Sequence, residues 1–340
     1  MAADDNGFIV DRRTVLTAGA ALAAATSLGL IRPALAKDPK DYQFALSVPF
    51  EGLQSYEHII NGYKDSVAKF GGHLTIAACN YDVKKQSDQI ATFVASKVDA
   101  LFILPADPAG VSKAVQSAVA SGVPVFLTDS YVPGATVTSM SIENSFGMGV
   151  LTGEYLSKRL GGKGKIATIT LPENETWAMR SLGLDSVLVR YPDIKVVANW
   201  AFDPTMKVTS RDAADQFLTA HPDLDAIWTA WDDAAINSAL AIKAAGRDKI
   251  FVTGMDGGRQ AFQYIKSGSP FVFTAAQAFY QWSFYNVYFA HQHLAGKGAP
   301  RIVVNDYWAV SQDNLKEDLD KYDHYDEFGV AEKLGWSRAL

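Results

Sequence analysis

The fold of this chain is indicated by one unit that its sequence contains twice. Residues 99–130 read DALFILPADPAGVSKAVQSAVASGVPVFLTDS, and residues 225–257 read DAIWTAWDDAAINSALAIKAAGRDKIFVTGMDG. Each copy begins with Asp-Ala, continues through a short apolar run into an acidic turn, and then has an Ala-rich helical segment that ends at glycine. A second apolar run follows and ends at Asp129 in one copy and at Asp256 in the other. Two copies of one unit predict two similar lobes.

The rest of the chain continues the same alternation of strand and helix, from about residue 42 to residue 306. Its apolar strands, such as ALFIL and VFLT, are near-continuous rather than alternating. This pattern is typical of strands that are covered by helices on both faces of a parallel sheet. The sequence therefore predicts an α/β protein made of two doubly wound parallel-sheet lobes.

Composition argues against several classes of protein. The chain has 340 residues, of which 48% are hydrophobic, and this is enough for two domains with apolar cores. Its net charge of -6 and its lack of a basic run argue against a nucleic acid partner. Cys79 is the single cysteine, so one chain forms neither a disulfide framework nor a cysteine-based zinc site. No metal site and no cofactor are predicted.

The beginning of the chain has the order of a secretory signal. Arg12 and Arg13 precede a weakly apolar run from residue 15 to residue 31, and Ala-Leu-Ala at residues 34–36 provides a small-residue cleavage motif. The arginine pair is typical of a twin-arginine export signal. A transmembrane anchor is the alternative, but the run is rich in alanine and only just long enough to span a bilayer. We therefore expect residues 1–36 to be a signal peptide of the twin-arginine type and the protein to be exported to the periplasm.

The two repeated aspartates indicate where a site lies. In an open parallel sheet, ligands bind beyond the carboxyl ends of the strands, and Asp129 and Asp256 each end a predicted strand. Acidic turns at residues 105–107 and 231–233 follow two other strands, and Asp233 is expected to be the N-cap of the next helix. If the lobes face each other, these strand ends meet in one cleft, where small-molecule sites are preferentially found. Taken alone, either aspartate is equally well explained as a turn or capping residue.

From residue 42 to residue 306 the chain resembles a periplasmic sugar-binding protein of the ribose-binding type, the solute receptor of an ABC importer. The segments that carry the resemblance are VPVFLTDS, LTAHPDLDAIWTAWDDAAINSALAIKAAG, VTGMDG and FTAAQ, in this order and at the spacing of the family. The resemblance implies the type I periplasmic binding protein fold, in which three crossovers join the two lobes. In this chain the crossovers are expected near Asn144, Gln277 and Asp306.

The resemblance also implies which segments form each lobe. Residues 41–144 and 278–305 would form the N-terminal lobe. Residues 145–277 and 306–340 would form the C-terminal lobe together with a C-terminal extension. This extension is acidic and aromatic and continues beyond the usual end of the family, and we expect it to pack on the surface.

Nine residues are candidates for ligand binding. The resemblance implies that Asp129, Asp232 and Asp256 accept hydrogen bonds from solute hydroxyl groups. It also implies that Arg180 donates a charge-assisted pair from the second lobe and that Gln277 binds a further hydroxyl at the hinge. Such groups suit polyhydroxylated solutes, because a buried polar partner rejects an analogue that lacks the hydroxyl. The complete set is Tyr56, Asp129, Ser130, Trp177, Arg180, Trp231, Asp232, Asp256 and Gln277.

Departures from the family pattern change the expected solute. Ser130 stands where the family usually has an arginine, and Trp231 stands where it usually has an asparagine. The usual aromatic entry loop is replaced, except that Tyr56 stands at the position where the family places a ring against the sugar. The predicted cleft is unusually aromatic, with Tyr131, Trp177, Phe202 and Trp231. We therefore expect a sugar alcohol, a deoxy- or branched sugar, or another small hydroxylated solute with an apolar face as readily as ribose.

Three other functions are open at this point. An exported α/β enzyme would need a catalytic motif, and the sequence lacks a G-x-S-x-G elbow, a P-loop, an H-E-x-x-H motif and a dinucleotide fingerprint. A transcription regulator would need a helix-turn-helix where the export signal stands. A receptor for a sugar-like signal would have the same lobes, so sequence does not separate sensing from transport. We expect a monomeric, exported binding protein, not an enzyme, that closes on a small hydroxylated solute and docks on a membrane permease.

Overall fold

The computed structural model describes residues 37–52, 54–172, 175–202 and 208–340. The predicted signal peptide, residues 1–36, lies outside the described residues. The described parts of the chain form two six-stranded sheets with helices around them. Within these parts, no helix has both the length and the apolar character that are needed to cross a membrane.

The elements alternate along the chain as the sequence predicts. The strands are β1 (Gln43–Val48), β2 (His73–Ala78), β3 (Ala100–Ile103), β4 (Val125–Asp129), β5 (Ser139–Ile142), β6 (Lys163–Thr170), β7 (Asp193–Ala201), β8 (Ala226–Thr229), β9 (Phe251–Asp256), β10 (Phe271–Gln277), β11 (Ile302–Val304) and β12 (Tyr307–Ser311). The helices are α1 (Gln54–Phe70), α2 (Val83–Ala95), α3 (Ser112–Ala120), α4 (Ser145–Arg159), α5 (Glu175–Leu188), α6 (Ser210–Ala220), α7 (Asp232–Ala244), α8 (Arg259–Lys266), α9 (Phe279–Leu294) and α10 (Val330–Lys333). Short 3₁₀ turns span Pro39–Asp41, Gln312–Asn314 and Leu319–Tyr322.

Both sheets have the strand order of a doubly wound fold. The first sheet runs β11-β5-β4-β3-β1-β2, and its neighbouring strands are parallel. The second sheet runs β12-β10-β9-β8-β6-β7, and β12 is antiparallel to β10 while the other pairs are parallel. The predicted α/β fold with two parallel-sheet lobes is confirmed.

Helices cover both faces of each sheet. Every residue of β3 and of β8 is buried, as expected for strands between two helical layers. In the first lobe, which we define as the first sheet with α1–α3 and α9, Phe44 and Phe102 face α1 and α9. Leu101 and Leu127 face α2 and α3 on the other side. The second lobe, defined as the second sheet with α4–α8, has a contiguous core that includes Trp228.

In the described part of the chain, the backbone passes between the two lobes three times. It leaves the first lobe after β5, at residues 143–144, and returns after β10, at residue 278, into α9, which packs against α1. It leaves again between β11 and β12, at residues 305–306. The predicted joining of the lobes by three crossovers is confirmed, and β5, β10 and β11 therefore end at the junction between the lobes.

The C-terminal extension is buried more deeply than the expected surface packing. Tyr325 is fully buried, and Tyr322 and Trp336 are nearly so. Together with Phe262 of α8 they form a cluster of edge-to-face and stacked rings that belongs to the second-lobe core. Because aromatic side chains bury large apolar areas, this segment contributes to the stability of the lobe.

The same extension also contacts the first lobe. Asp326 is buried and accepts a hydrogen bond from the backbone N–H of Tyr280, near the start of α9, at 2.7 Å. Its carboxylate lies 3.3 Å from Nδ1 of His58 on α1. The ring of Phe328 packs edge-on against Phe284 of α9. The extension therefore bridges the two lobes beside the crossing at residue 278.

Candidate functional site

Asp129 and Asp256 both end their strands with a positive backbone φ angle. Asp129 is the last residue of β4 and has a φ of 74°, and Asp256 is the last residue of β9 and has a φ of 129°. Positive φ is uncommon for a residue other than glycine, and such strain is concentrated at functional sites. Gly257 follows with a φ of 87°, and a Cβ atom there would collide with Ala276. Both copies of the repeated unit thus hold their aspartate in a strained turn.

Arg180 is a buried cation that connects the two lobes. It lies on α5 and is 2% exposed, and its Nε and Nη2 groups donate to Oε1 and Oε2 of Glu143 at 3.1 and 2.6 Å. Its Nη1 group donates to Oδ1 of Asp256 at 3.1 Å and to the carbonyl oxygen of Ala230. Burial opposes the positive charge, but Glu143 and Asp256 outweigh it and raise the pKa of Arg180. Because Glu143 directly follows β5, the guanidinium joins a first-lobe carboxylate to a second-lobe strand end.

Gln277 extends this network at the crossing between β10 and α9. Its Nε2 group donates at 2.8 Å to Oδ1 of Asp256, the same oxygen that accepts from Arg180. The Oε1 atom of Gln277 is buried and has no hydrogen-bond partner among the residues that the structure describes. A buried amide oxygen without a donor is destabilising unless something binds it. This atom is therefore an open acceptor next to Asp256.

Asp129 lies on the first-lobe side of the cleft, beside a contact between the lobes. The hydroxyl of Ser130 donates to Oδ2 of Asp129 at 2.8 Å. The same hydroxyl oxygen lies 3.3 Å from that of Thr176 on α5. Ser130 is 6% exposed, so this contact is closed to solvent.

Burial raises the pKa of both repeated aspartates. The pKa of Asp129 rises to about 7, because burial and repulsion by Glu143 outweigh the Ser130 hydrogen bond and the charge of Arg180. The pKa of Asp256 rises to about 6, because burial and repulsion by Glu143 outweigh the attraction of Arg180. Three carboxylates are thus crowded around one guanidinium, and this crowding opposes the ionisation of Asp129 and Asp256.

Two tyrosines of the first lobe lie close to these aspartates. The hydroxyl oxygen of Tyr56, on α1, is 2.8 Å from that of Tyr81, in the loop after β2. Burial raises the pKa of Tyr56 well above its usual value, and Tyr81 and the charges of Asp129 and Asp256 add to the effect. Tyr56 therefore lies within electrostatic reach of both aspartates.

Trp177 and Trp231 stack on each other. Their ring centroids are 4.7 Å apart, and their planes are 15° from parallel. Phe202 contacts Trp231 edge-on at 5.7 Å, and Trp231 is only 8% exposed. The guanidinium carbon of Arg180 lies 5.9 Å from the ring centre of Trp177, within cation–π range. The stacked pair forms an aromatic wall beside Arg180, and Trp177 is its half-buried, more accessible member.

Asp232 is turned into the second lobe. Its Oδ2 atom accepts from the backbone N–H of Gly257 at 2.7 Å, and the hydroxyl of Thr274 lies 2.9 and 3.0 Å from its two oxygens. Burial, followed by repulsion from Asp256, raises the pKa of Asp232 well above its usual value. These bonds hold the turn after β9 against β10, and a direct solute contact by Asp232 stays a prediction. The expected N-cap role of Asp233 is wrong, because α7 begins one residue earlier and Trp231 precedes it.

The predicted residues come together in one region. Trp177 and Trp231 flank the cleft between the lobes, and Asp232 lies beneath the turn of the second lobe. The other six surround the cleft: Tyr56, Asp129, Ser130, Arg180, Asp256 and Gln277. Sequence reasoning missed Glu143 and Tyr81. An acidic residue directly after a strand, at a crossing between lobes, is the signal that could have found Glu143, whereas Tyr81 lies in a loop with no such signal.

Comparison with known proteins agrees with this architecture. The periplasmic binding protein domain matches residues 44–298. The chain is 27% identical over 236 residues to the ribose import binding protein of Bacillus subtilis (strain 168). The aligned region covers 69% of this chain and 76% of that protein. It is 27% identical over 205 residues to the xylitol-binding protein of Mycolicibacterium smegmatis. That aligned region covers 59% of this chain and 57% of that protein.

A solved structure shows the same fold. It is an ABC transporter solute-binding protein from Bacillus halodurans C-125 with bound myo-inositol. It superposes with a TM-score of 0.75 at 22% sequence identity and covers 84% of this chain and 100% of that chain. Because the family match spans most of the chain and includes both lobes, the chain belongs to the periplasmic binding protein family, and it has the type I fold.

Proposed function

We propose that the protein is the exported solute receptor of an ABC importer and that it binds a monosaccharide or a sugar alcohol between its lobes. The main support is the Arg180 network, in which one buried guanidinium joins Glu143 of the first lobe to Asp256 of the second. A receptor that encloses its solute needs polar groups from both lobes at the junction, and small-molecule sites are preferentially found at such junctions.

The groups at the junction match the hydroxyl groups of such a solute. Asp129, Asp256 and the Oε1 atom of Gln277 would accept hydrogen bonds from hydroxyls. One N–H of Arg180 Nη2 is left after the bond to Glu143, and it would donate to a solute oxygen. The carbohydrate C–H face would pack on the rings of Tyr56 and Trp177. Relatives named for ribose and xylitol and a neighbour with bound myo-inositol support this solute class.

Binding would be coupled to closure of the lobes about the three crossings. The hydroxyl contact between Ser130 and Thr176 joins the lobes and would separate on opening. In hinge closure of this kind, a few residues at the crossings absorb the change in backbone dihedral angles while the lobes move as rigid bodies. The protein would act in the periplasm as a monomer without a cofactor. Its closed form would then dock on a membrane permease. The protein would release its solute unchanged, as a receptor rather than an enzyme.

The test is calorimetric titration of the purified full chain with ribose, apiose, xylitol, myo-inositol and a wider set of pentoses, hexoses and polyols. The melting temperature is a second readout, because binding to the native state raises it. A ligand at a hundred times its Kd increases the free energy of unfolding by about 2.7 kcal/mol. We expect saturable binding of one solute per chain. Failure of every sugar, sugar derivative and polyol to bind would contradict the proposed function.

A further inference from the structure

The cleft carries more negative than positive charge. The carboxylates of Asp129, Glu143 and Asp256 all lie close enough to Arg180 to act on its ionisation. Arg180 offsets Glu143 through two hydrogen bonds and contacts Asp256 through one. When all four groups are ionised, three carboxylates face one guanidinium. The excess negative charge has to be balanced by a proton or by a cation.

Asp129 is the carboxylate to which this excess belongs. Its hydrogen-bond donor is the neutral hydroxyl of Ser130. The guanidinium of Arg180 uses Nε and Nη2 on Glu143 and Nη1 on Asp256, so it makes no direct bond to Asp129. Among the described residues, no lysine, arginine or histidine forms an ion pair with Asp129. A half-buried carboxylate at the cleft therefore lacks a cationic partner.

Gln277 provides a second, independent indication. It is 2% exposed, its Nε2 group is held by Asp256, and its Oε1 atom has no donor within the described residues. This atom accepts and cannot donate, so its ligand must present an N–H or O–H group. A protonated amine presents three N–H donors and a positive charge on one atom. Gln277 therefore indicates that a donor-bearing ligand binds here, and an amino group on the same ligand would supply the charge that Asp129 lacks.

We propose, on the basis of the function proposed above, that the solute is a cationic hydroxylated molecule, an amino sugar or an amino polyol, whose ammonium group pairs with Asp129. Its hydroxyl groups bind Asp256, Gln277 and the remaining N–H of Arg180. A metal ion is the weaker candidate for the cation. In the parts of the chain that the structure describes, no group of three or more histidine, cysteine, aspartate or glutamate side chains is arranged to hold one.

The proposal makes the binding equilibrium depend on pH in a defined direction. The charged and titratable groups that act on Asp129 are Glu143, Arg180 and Asp256, and Asp129 in turn acts on Tyr56 and Tyr81. Burial and repulsion raise the pKa of Asp129 in the free protein, and a bound ammonium would lower it again. Binding of the amine therefore releases protons and strengthens as pH rises toward neutrality, whereas a neutral solute brings no charge to Asp129 and should show a weaker pH dependence.

The experiment is calorimetric titration of the full chain with matched pairs of solutes that differ in one amino group. Suitable pairs are glucose and glucosamine, galactose and galactosamine, sorbitol and glucamine, and myo-inositol and an aminoinositol. At about pH 7.5 we expect one amine to bind about tenfold more tightly than its neutral partner, the effect of a charge-assisted hydrogen bond. Its binding enthalpy should vary with the ionisation enthalpy of the buffer, and its affinity should fall at about pH 5.5.

Two variants separate the pairing from a general attraction between charges. Asp129→Asn should abolish the preference for the amine, so that the amine and its neutral partner bind with similar affinity whatever the affinity of the variant. Asp107→Asn removes one exposed carboxylate that follows β3 at the same edge of the first sheet, and it should keep the preference. The melting temperature of each free variant shows whether it is folded.

The outcomes distinguish this inference from the proposed function. If neutral partners bind as tightly as the amines, or more tightly, the inference is overturned and the sugar-receptor function stands. If Asp129→Asn keeps the preference for the amine, the pairing with Asp129 is overturned. If no member of any pair and none of the wider panel binds, the proposed function fails and the inference fails with it.

Discussion

Glu143 and Arg180 form a two-point ion pair that joins the lobes of this protein. Their donor–acceptor distances are 3.1 and 2.6 Å, and their side chains are 3% and 2% exposed. The planar guanidinium fits the carboxylate in such a bidentate arrangement, which makes the pair both strong and directional. Because Glu143 follows β5 and Arg180 lies on α5, the pair sets the position of this helix relative to the first crossing.

We expect Glu143→Gln to be strongly destabilising. Removing one partner of a buried pair leaves a charge that is poorly compensated, and this lowers the free energy of unfolding by about 3 kcal/mol or more. Urea unfolding of the free protein measures the change. Glu154→Gln is the matched control, because Glu154 pairs with Arg190, which is 56% exposed, and exposed pairs contribute about 1 kcal/mol or less. Equal losses in the two variants would contradict the structural importance of the buried pair.

Asp256→Asn is expected to keep the fold and lose most of the solute affinity. Asparagine has nearly the same size and shape as aspartate, so the turn after β9 is retained. The variant removes the charge that pairs with Arg180 and binds Gln277, and it should weaken binding by about tenfold or more. Calorimetry with the best solute of the panel measures the loss. Asp248→Asn, an exposed site before β9, should bind normally, and undiminished binding by Asp256→Asn would remove Asp256 from the site.

Gly149 allows α4 and α5 to approach closely behind Arg180. A Cβ atom at Gly149 would overlap the carbonyl oxygen of Arg180, whereas a Cβ atom at Gly153 would lie 3.2 Å from the side chain of Val187. We expect Gly149→Ala to reduce the free energy of unfolding by about 1–3 kcal/mol, as overpacking does, and to weaken solute binding by displacing α5.

Gly153→Ala on the same helix is the control for the intrinsic helix preference of alanine. Alanine favours the helix over glycine by about 1 kcal/mol, and this gain offsets the milder contact with Val187. The net change in the free energy of unfolding should therefore be small. Urea unfolding and calorimetry compare the two variants. If Gly149→Ala were as stable as Gly153→Ala, the result would show that α4 and α5 can move apart without a loss of stability.

His58 and Asp326 should make stability depend on pH. Burial acts to lower the pKa of His58, but the hydrogen bond and charge of Asp326 outweigh it, so the pKa is raised. The protonated pair therefore stabilises the fold fully below the unfolded pKa, about 6.5, and this contribution is lost as pH rises through the folded value. We expect His58→Gln to reduce the free energy of unfolding more at about pH 6 than at about pH 8.5.

The measurement is urea unfolding of both proteins at the two pH values. His324→Gln is the control, because the His324 side chain is 75% exposed and we expect its removal to have little effect at either pH. A His58→Gln effect that is the same at both pH values would show that Asp326 does not hold a charged histidine. Since His58 is on α1 and Asp326 lies on the extension, the pair also reports on contact between the lobes.

The repeated unit explains why so much of the fold could be predicted. Near-continuous apolar strands such as β3 and β8 indicate burial on both faces, and this is a local property of the sequence. The aspartates that end β4 and β9 could each be placed at the carboxyl edge of its own sheet, because the parallel strands of a sheet point the same way. Their positive φ values, 74° and 129°, were not predictable, because they depend on how each turn packs.

Other features depend on partners that are far apart in the chain. The position of Glu143 after a strand is visible in the sequence, but its pairing with Arg180 depends on where α5 packs. Trp231 could be predicted at a strand end, but its stacking on Trp177 depends on where α5 begins. The burial of Tyr325 in the second-lobe core depends on the return of the last segment across α8. Periodicity describes one segment at a time and carries no information about such pairings.

By itself, the amino-acid sequence determined the two α/β lobes, the positions of the three crossings and the strand ends at which polar residues gather. The lobes and the strand ends follow from hydrophobic period and turn chemistry, whereas the positions of the crossings were implied by the resemblance to a known family. Only the tertiary structure decided that Arg180 pairs with Glu143, that Asp232 supports a turn, and that Asp129 is left without a cation. The physical reason is that charge compensation and burial are properties of space, so they appear only when distant segments are packed together.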